Sequence, residues 1–251
     1  MLKITNLIQE KLEELGTEER AKFQKKLSFC SVNKEEMQFF GVTVPNIRLI
    51  AREFCFQVEF VEILSLLQSH FHENRLVALE MLSFQFKSPF LHQKWQIGKS
   101  ETFKINQKRQ EIVDFYLQNL QYLNSWDLVD ISAYKILGEY LLLFPEKEDI
   151  LDKLSKTNHL WSQRVSMVAT LALIRKNKFS QALRLAEIFL SHPHDLMHKA
   201  TGWCLREIGK KDELILKKFL DKNASKMPRT MLRYSIERFD TETRKRYLEM
   251  K

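Results

Sequence analysis

At 251 residues, with 44% hydrophobic and 29% charged side chains, the chain can bury a sizeable core and is too apolar to be disordered. Its 6 Gly and 5 Pro are too few for the tight turns of a many-stranded sandwich or barrel, and the widely spaced Cys30, Cys55 and Cys204 exclude a disulfide framework or zinc ribbon. The net charge of +8 is unevenly placed, because residues 156–251 hold 21 Lys plus Arg against 10 Asp plus Glu, whereas residues 1–155 hold 19 and 22.

Apolar residues recur with a helical period along the whole chain. The first predicted helices cover 3–15 and 18–30. Pro45 opens a third, since a proline at a helix start gives up no hydrogen bond, and others follow at 58–69 and 73–86. Residues 87–106 read as a looser segment. Beyond it the pattern predicts helices at 107–122, 126–143, 147–154, 160–175, 179–190, 195–209, 212–221, 228–238 and 241–249. Short helices joined by brief polar breaks cannot bury their apolar faces alone, so they are expected to stack. The expected fold is therefore all-α, a single HEAT-like helical repeat solenoid over residues 1–251 with a concave basic face. The amphipathic start, Met1 to Gly16, lacks the uninterrupted apolar run of a signal peptide, and no stretch approaches a membrane span. A soluble, cytoplasmic protein is expected, with no membrane partner.

Three clusters stand out. In Asn124-Ser125-Trp126-Asp127-Leu128-Val129-Asp130, Trp126 and Asp130 are four residues apart and so share one helix face. A capping role explains Ser125 and a first-turn role explains Asp127, but neither explains a carboxylate at Asp130, between Val129 and Ile131. The second is Leu160-Trp161-Ser162-Gln163-Arg164, where an arginine opens an apolar helix. In the third, Lys199 to Glu207, Trp203 and Arg206 share a face, and Gly202 implies close approach of something.

Taken with Gly41-Val42, Pro45-Asn46-Ile47-Arg48, His72-Glu73-Asn74-Arg75-Leu76-Val77-Ala78-Leu79 and Met227-Pro228-Arg229-Thr230-Met231-Leu232-Arg233-Tyr234, these clusters resemble, in order, the AlkD-like family of HEAT-repeat alkylpurine DNA glycosylases. The resemblance implies DNA alkylation repair by a monofunctional DNA glycosylase, a hydrolase acting on duplex DNA that contains cationic N7- and N3-alkylated purines. It further implies Asp130 as catalytic carboxylate, Trp126 and Trp203 as indoles against the lesion nucleotide, and Arg164 and Arg206 on the DNA backbone. The chain departs from the family where active members carry a tyrosine; the corresponding position lies near Val32.

The residue types suit that chemistry in their own right. A purine alkylated at N3 or N7 is cationic and leaves without protonation, so a carboxylate that stabilises positive charge on the sugar is the main requirement. Indole faces attract cations, at about 0.5–2 kcal/mol each. No cofactor and no metal is called for. His192, His194 and His198 are expected to cap or pack, and Gly98-Lys99-Ser100 lacks the upstream glycine of a phosphate loop. A monomer bound to duplex DNA, nucleoid-associated, is expected. The alternative is a non-catalytic binder of distorted or branched DNA, which would gain by losing Asp130, and a protein-binding solenoid is a third reading.

Overall fold

The computed structural model describes residues 2–27 and 37–250. Among them the backbone is all-helical, with one isolated parallel bridge between Gln38 and Phe71. The position near Val32 lies outside the described residues. The chain forms two compact units, Met1–Ser132 and Ala133–Lys251.

The first unit contains α1 (Leu2–Leu15), α2 (Glu18–Leu27), α3 (Val44–Phe54), α4 (Phe60–Leu67), α5 (His72–Lys87), α6 (Thr102–Gln118) and α7 (Trp126–Ser132). The second contains α8 (Glu139–Leu143), α9 (Asp149–Ser155), α10 (Leu160–Arg175), α11 (Ser180–Ile188), α12 (Asp195–Lys211), α13 (Glu213–Asn223), α14 (Arg229–Ser235) and α15 (Thr241–Glu249). Pro45 is the second residue of α3, behind the Thr43 cap, as the missing N–H of proline allows.

Each unit is organised around one helix that is buried on nearly all sides. In the first it is α5, which packs on α3, α4, α6 and α7; in the second it is α10, which packs on α9, α11 and α12. A helix apolar all round belongs in a core, and α10 from Val165 to Ile174 has that character. The first turn of α5 is instead polar and equally buried, and at the start of α10 the polar Ser162 and Arg164 are buried beside Trp161.

Two expectations change. The looser segment is ordered: His92 donates from Nε2 to the Val58 carbonyl at 2.8 Å, Trp95 stacks on His92 at 3.8 Å, and its indole N–H donates to Glu59 at 3.1 Å. Helix α6 then starts at Thr102 rather than 107, because Glu101 folds back to accept the Gly98 N–H at 2.5 Å. That carboxylate takes up the Gly98 N–H that a phosphate loop would offer a nucleotide. The predicted helix 126–143 is interrupted after α7 by a π-helical turn, Tyr134–Gly138, before α8 begins.

Gly202 is explained by packing. A Cβ there would lie 2.6 Å from the Met231 carbonyl oxygen and 2.5 Å from the Tyr234 Cβ, so the close approach the sequence implies is that of α14 to α12. Gly209, on the same helix, would meet only the flexible end of Leu216 at 2.5 Å. Gly202→Ala should therefore cost about 1–3 kcal/mol through overpacking, whereas Gly209→Ala should stay near neutral, helped by the better helix propensity of alanine. Thermal unfolding of the two variants checks this; equal melting temperatures would contradict the close α12–α14 crossing.

Candidate nucleic-acid interface and catalytic carboxylate

In the first unit the site is α7. Trp126 opens it with 41% of its surface exposed, and Asp130, one turn on, is half-buried on the same face. Beneath them Tyr116 of α6 is fully buried, with its hydroxyl 3.0 Å from the Ser132 hydroxyl. Burial pushes the Tyr116 phenol well above its ordinary pKa against the opposing effect of the Ser132 hydrogen bond, and the charge of Asp130 adds to the rise. Tyr116 thus stays protonated at neutral pH.

The start of α7 is fixed by the first turn of α5. His72 Nε2 lies 2.7 Å from Oδ2 of Asp127, whose Oδ1 accepts from the Ser125 hydroxyl at 2.5 Å. Arg75 Nη1 donates to Asn124 Oδ1 at 2.8 Å. Burial pushes the Asp127 carboxyl up, but the His72 imidazole, the Ser125 hydroxyl and the Leu128 N–H together hold it below the usual carboxylate range. The same turn works in the other direction through Glu73, which is fully buried and accepts the N–H groups of Phe40, Gly41 and Val42 at 3.1, 2.9 and 3.3 Å. Gly41 adopts φ +83°, and a Cβ there would strike the Thr17 carbonyl oxygen at 2.1 Å.

In the second unit the site lies on α12. Trp203 is half-buried and lines a depression with Leu171, Ile174 and Arg175 of α10 and with Glu207, Lys210 and Lys211. The Arg175 guanidinium stacks over the Tyr134 ring, 4.3 Å from its centroid. Arg206 is paired with Glu237 and lies 3.8 Å from Glu207, with 18% of its side chain exposed. An anion that binds Arg206 therefore meets a guanidinium already shared with carboxylates.

Arg164 differs from the expected DNA-backbone contact. It is 4% exposed and donates to the carbonyl of Leu196, the second residue of α12. Its guanidinium holds the start of α12 in place instead of presenting charge at the surface. Gln163 beside it accepts from His192 Nε2 at 2.9 Å; His198 reaches the His192 carbonyl at 2.6 Å, and His194 caps α12. These three histidines brace a loop, and no group of metal-ligand type with three or more members occurs among the described residues.

Trp126 and Asp130 thus belong to the first unit, and Trp203, Arg206 and Arg164 to the second. Sequence reasoning left the His72–Asp127 pair unassigned, and it did not single out Arg175, Lys210 and Lys211. The signal for the pair was the uninterrupted polar run His72-Glu73-Asn74-Arg75 ahead of an apolar helix.

Residues 8–239 match the family model described as DNA alkylation repair enzyme. The chain belongs to that family. Among solved structures, a predicted DNA alkylation repair enzyme from Enterococcus faecalis superposes with a TM-score of 0.64 at 14% identity, covering 90% of this chain and 97% of that one. At that identity the likeness shows a shared fold. No curated protein sequence matches the chain. No helix among the described residues is long and apolar enough to cross a membrane. Family membership implies DNA as the partner, and Arg175, Lys210 and Lys211 are the cations that line the depression around Trp203. Removing one cation that neutralises a phosphate should lower the salt dependence of binding by about 0.9 in log–log slope. Arg175→Ala combined with Lys211→Ala should reduce the slope measured by duplex anisotropy between low and moderate salt; an unchanged slope would remove this depression from the interface.

Proposed function

We propose that the protein is a monofunctional DNA glycosylase that hydrolyses the N-glycosidic bond of cationic N7- and N3-alkylated purines in duplex DNA. The observation that supports it most is Asp130, a half-buried carboxylate on the same face of α7 as the exposed indole of Trp126. A carboxylate opposes phosphate binding, so its place beside an exposed aromatic suits work on a cation.

When the C1′–N bond breaks, its electron pair passes to the purine and neutralises it, and positive charge develops on the deoxyribose. Asp130 stabilises that charge and orients a water molecule, whose oxygen bonds to C1′ as its proton is released. The products are the free alkylpurine and an abasic site. The leaving group needs no proton, because the alkylpurine is already cationic. Water is the only co-reactant, and no lysine nucleophile takes part.

Trp126 would contact the lesion nucleotide, and Trp203 and Arg206 would bind DNA from the second unit. Arg164 serves the same end indirectly, by holding the start of α12. Asp130→Asn keeps shape and loses charge, so only the transition state suffers. Single-turnover release of N7-methylguanine should fall on the order of a hundredfold to a thousandfold, consistent with about 3–4 kcal/mol of electrostatic stabilisation, while duplex affinity is equal or tighter. Equal rates for wild type and variant would remove Asp130 from the mechanism.

A further inference from the structure

We propose that His72 is a positioning residue for this site, holding the first turn of α7, and with it Trp126 and Asp130, through its hydrogen bond to Asp127. The inference rests on the glycosylase reading for its effect on rate, but its structural half stands on α5 and α7 alone.

His72 is 4% exposed and lies in the first turn of the most buried helix of its unit. A carboxylate only accepts, so the 2.7 Å contact means that Nε2 carries the proton and donates to Asp127 Oδ2. Nδ1 is buried without a hydrogen-bond partner among the described residues, and the contact to Asp127 is the side-chain hydrogen bond this imidazole makes there. The backbone N–H of His72 donates to the Gln38 carbonyl at 2.9 Å, which fixes the ring's own origin. The ring also lies 5.2 Å from that of Phe39.

On the receiving side, Asp127 lies between Trp126 and Leu128, and its other oxygen is held by Ser125. Helix α7 has only seven residues and its Ser132 end runs into the π-helical turn, so its own backbone bonds define its orientation weakly. Its start is held by the pair of contacts from α5, His72 to Asp127 and Arg75 to Asn124, and its other end by the hydrogen bond between Tyr116 and Ser132. Asp130 is one turn beyond Asp127. A small tilt of α7 about its first turn moves the carboxylate against the sugar. Misplacement by about 1 Å at a reacting centre is worth on the order of a hundredfold in rate.

The test compares His72→Phe, which keeps a ring and its volume but has no N–H, with His72→Gln, whose amide N–H has a similar reach. His72→Phe should lower single-turnover release of N7-methylguanine about tenfold to a hundredfold, with duplex affinity within about twofold, and His72→Gln should restore most of the rate. Amide hydrogen exchange across residues 124–132, measured without DNA, should quicken in His72→Phe and stay near wild type in His72→Gln. Wild-type rate and exchange in His72→Phe would overturn the proposal, as would parallel loss of rate and affinity in both variants. Absence of base release from the wild type would overturn the glycosylase reading alone, and the exchange comparison would still decide whether His72 holds α7.

Discussion

Burial of the polar first turn of α5 is the constraint on which the first unit depends. Glu73 is fully buried, and an unpaired carboxylate in that position would cost several kcal/mol. It is satisfied by three successive backbone N–H groups, which only the sharp turn at Gly41 can present. Its place near the helix N-terminus adds a favourable interaction with the macrodipole. One acid therefore fixes the path of the chain from Phe40 to Val42. Its neighbours His72 and Arg75 fix the path from Asn124 to Asp127. The carboxylate proposed to act on the sugar lies one turn beyond the residues these groups hold.

The second unit reaches a similar result by its own contacts. The first turn of α10 supplies Gln163 and Arg164, which hold His192 and the Leu196 carbonyl ahead of Trp203 and Arg206. A central helix whose first turn carries a buried arginine, tied to the start of a later helix that bears an indole, occurs in both units: Arg75 before Trp126, and Arg164 before Trp203. The two arginines follow Asn74 and Gln163 and precede apolar runs, so the correspondence extends to the sequence. Arginine suits the task because its fixed fork keeps its geometry when buried.

Much of this was legible in the sequence. Helical periodicity placed most elements within a few residues, and the scarcity of turn-formers pointed to an all-helical chain. Trp126 and Asp130 could be placed on one face because α-helical spacing is local information. The role of Arg164 was not legible, because an arginine bound to a carbonyl 32 residues away and one facing phosphate look alike in sequence. Arg175 and Lys210 were hidden for the opposite reason: they lie in the last turns of amphipathic helices, where cations are ordinary. The ordering of 87–106 depends on His92 and Trp95 meeting Val58 and Glu59, long-range contacts that periodicity does not carry.

The central claim is that this face stabilises charge on the sugar and does not protonate a base. The most direct measurement is single-turnover release by the wild type from two matched duplexes, one carrying N7-methylguanine and the other uracil. The account predicts release of the cationic purine and none of the neutral pyrimidine, whose departure would need a proton donor. Release of uracil at a comparable rate, or retention of both bases, would contradict it.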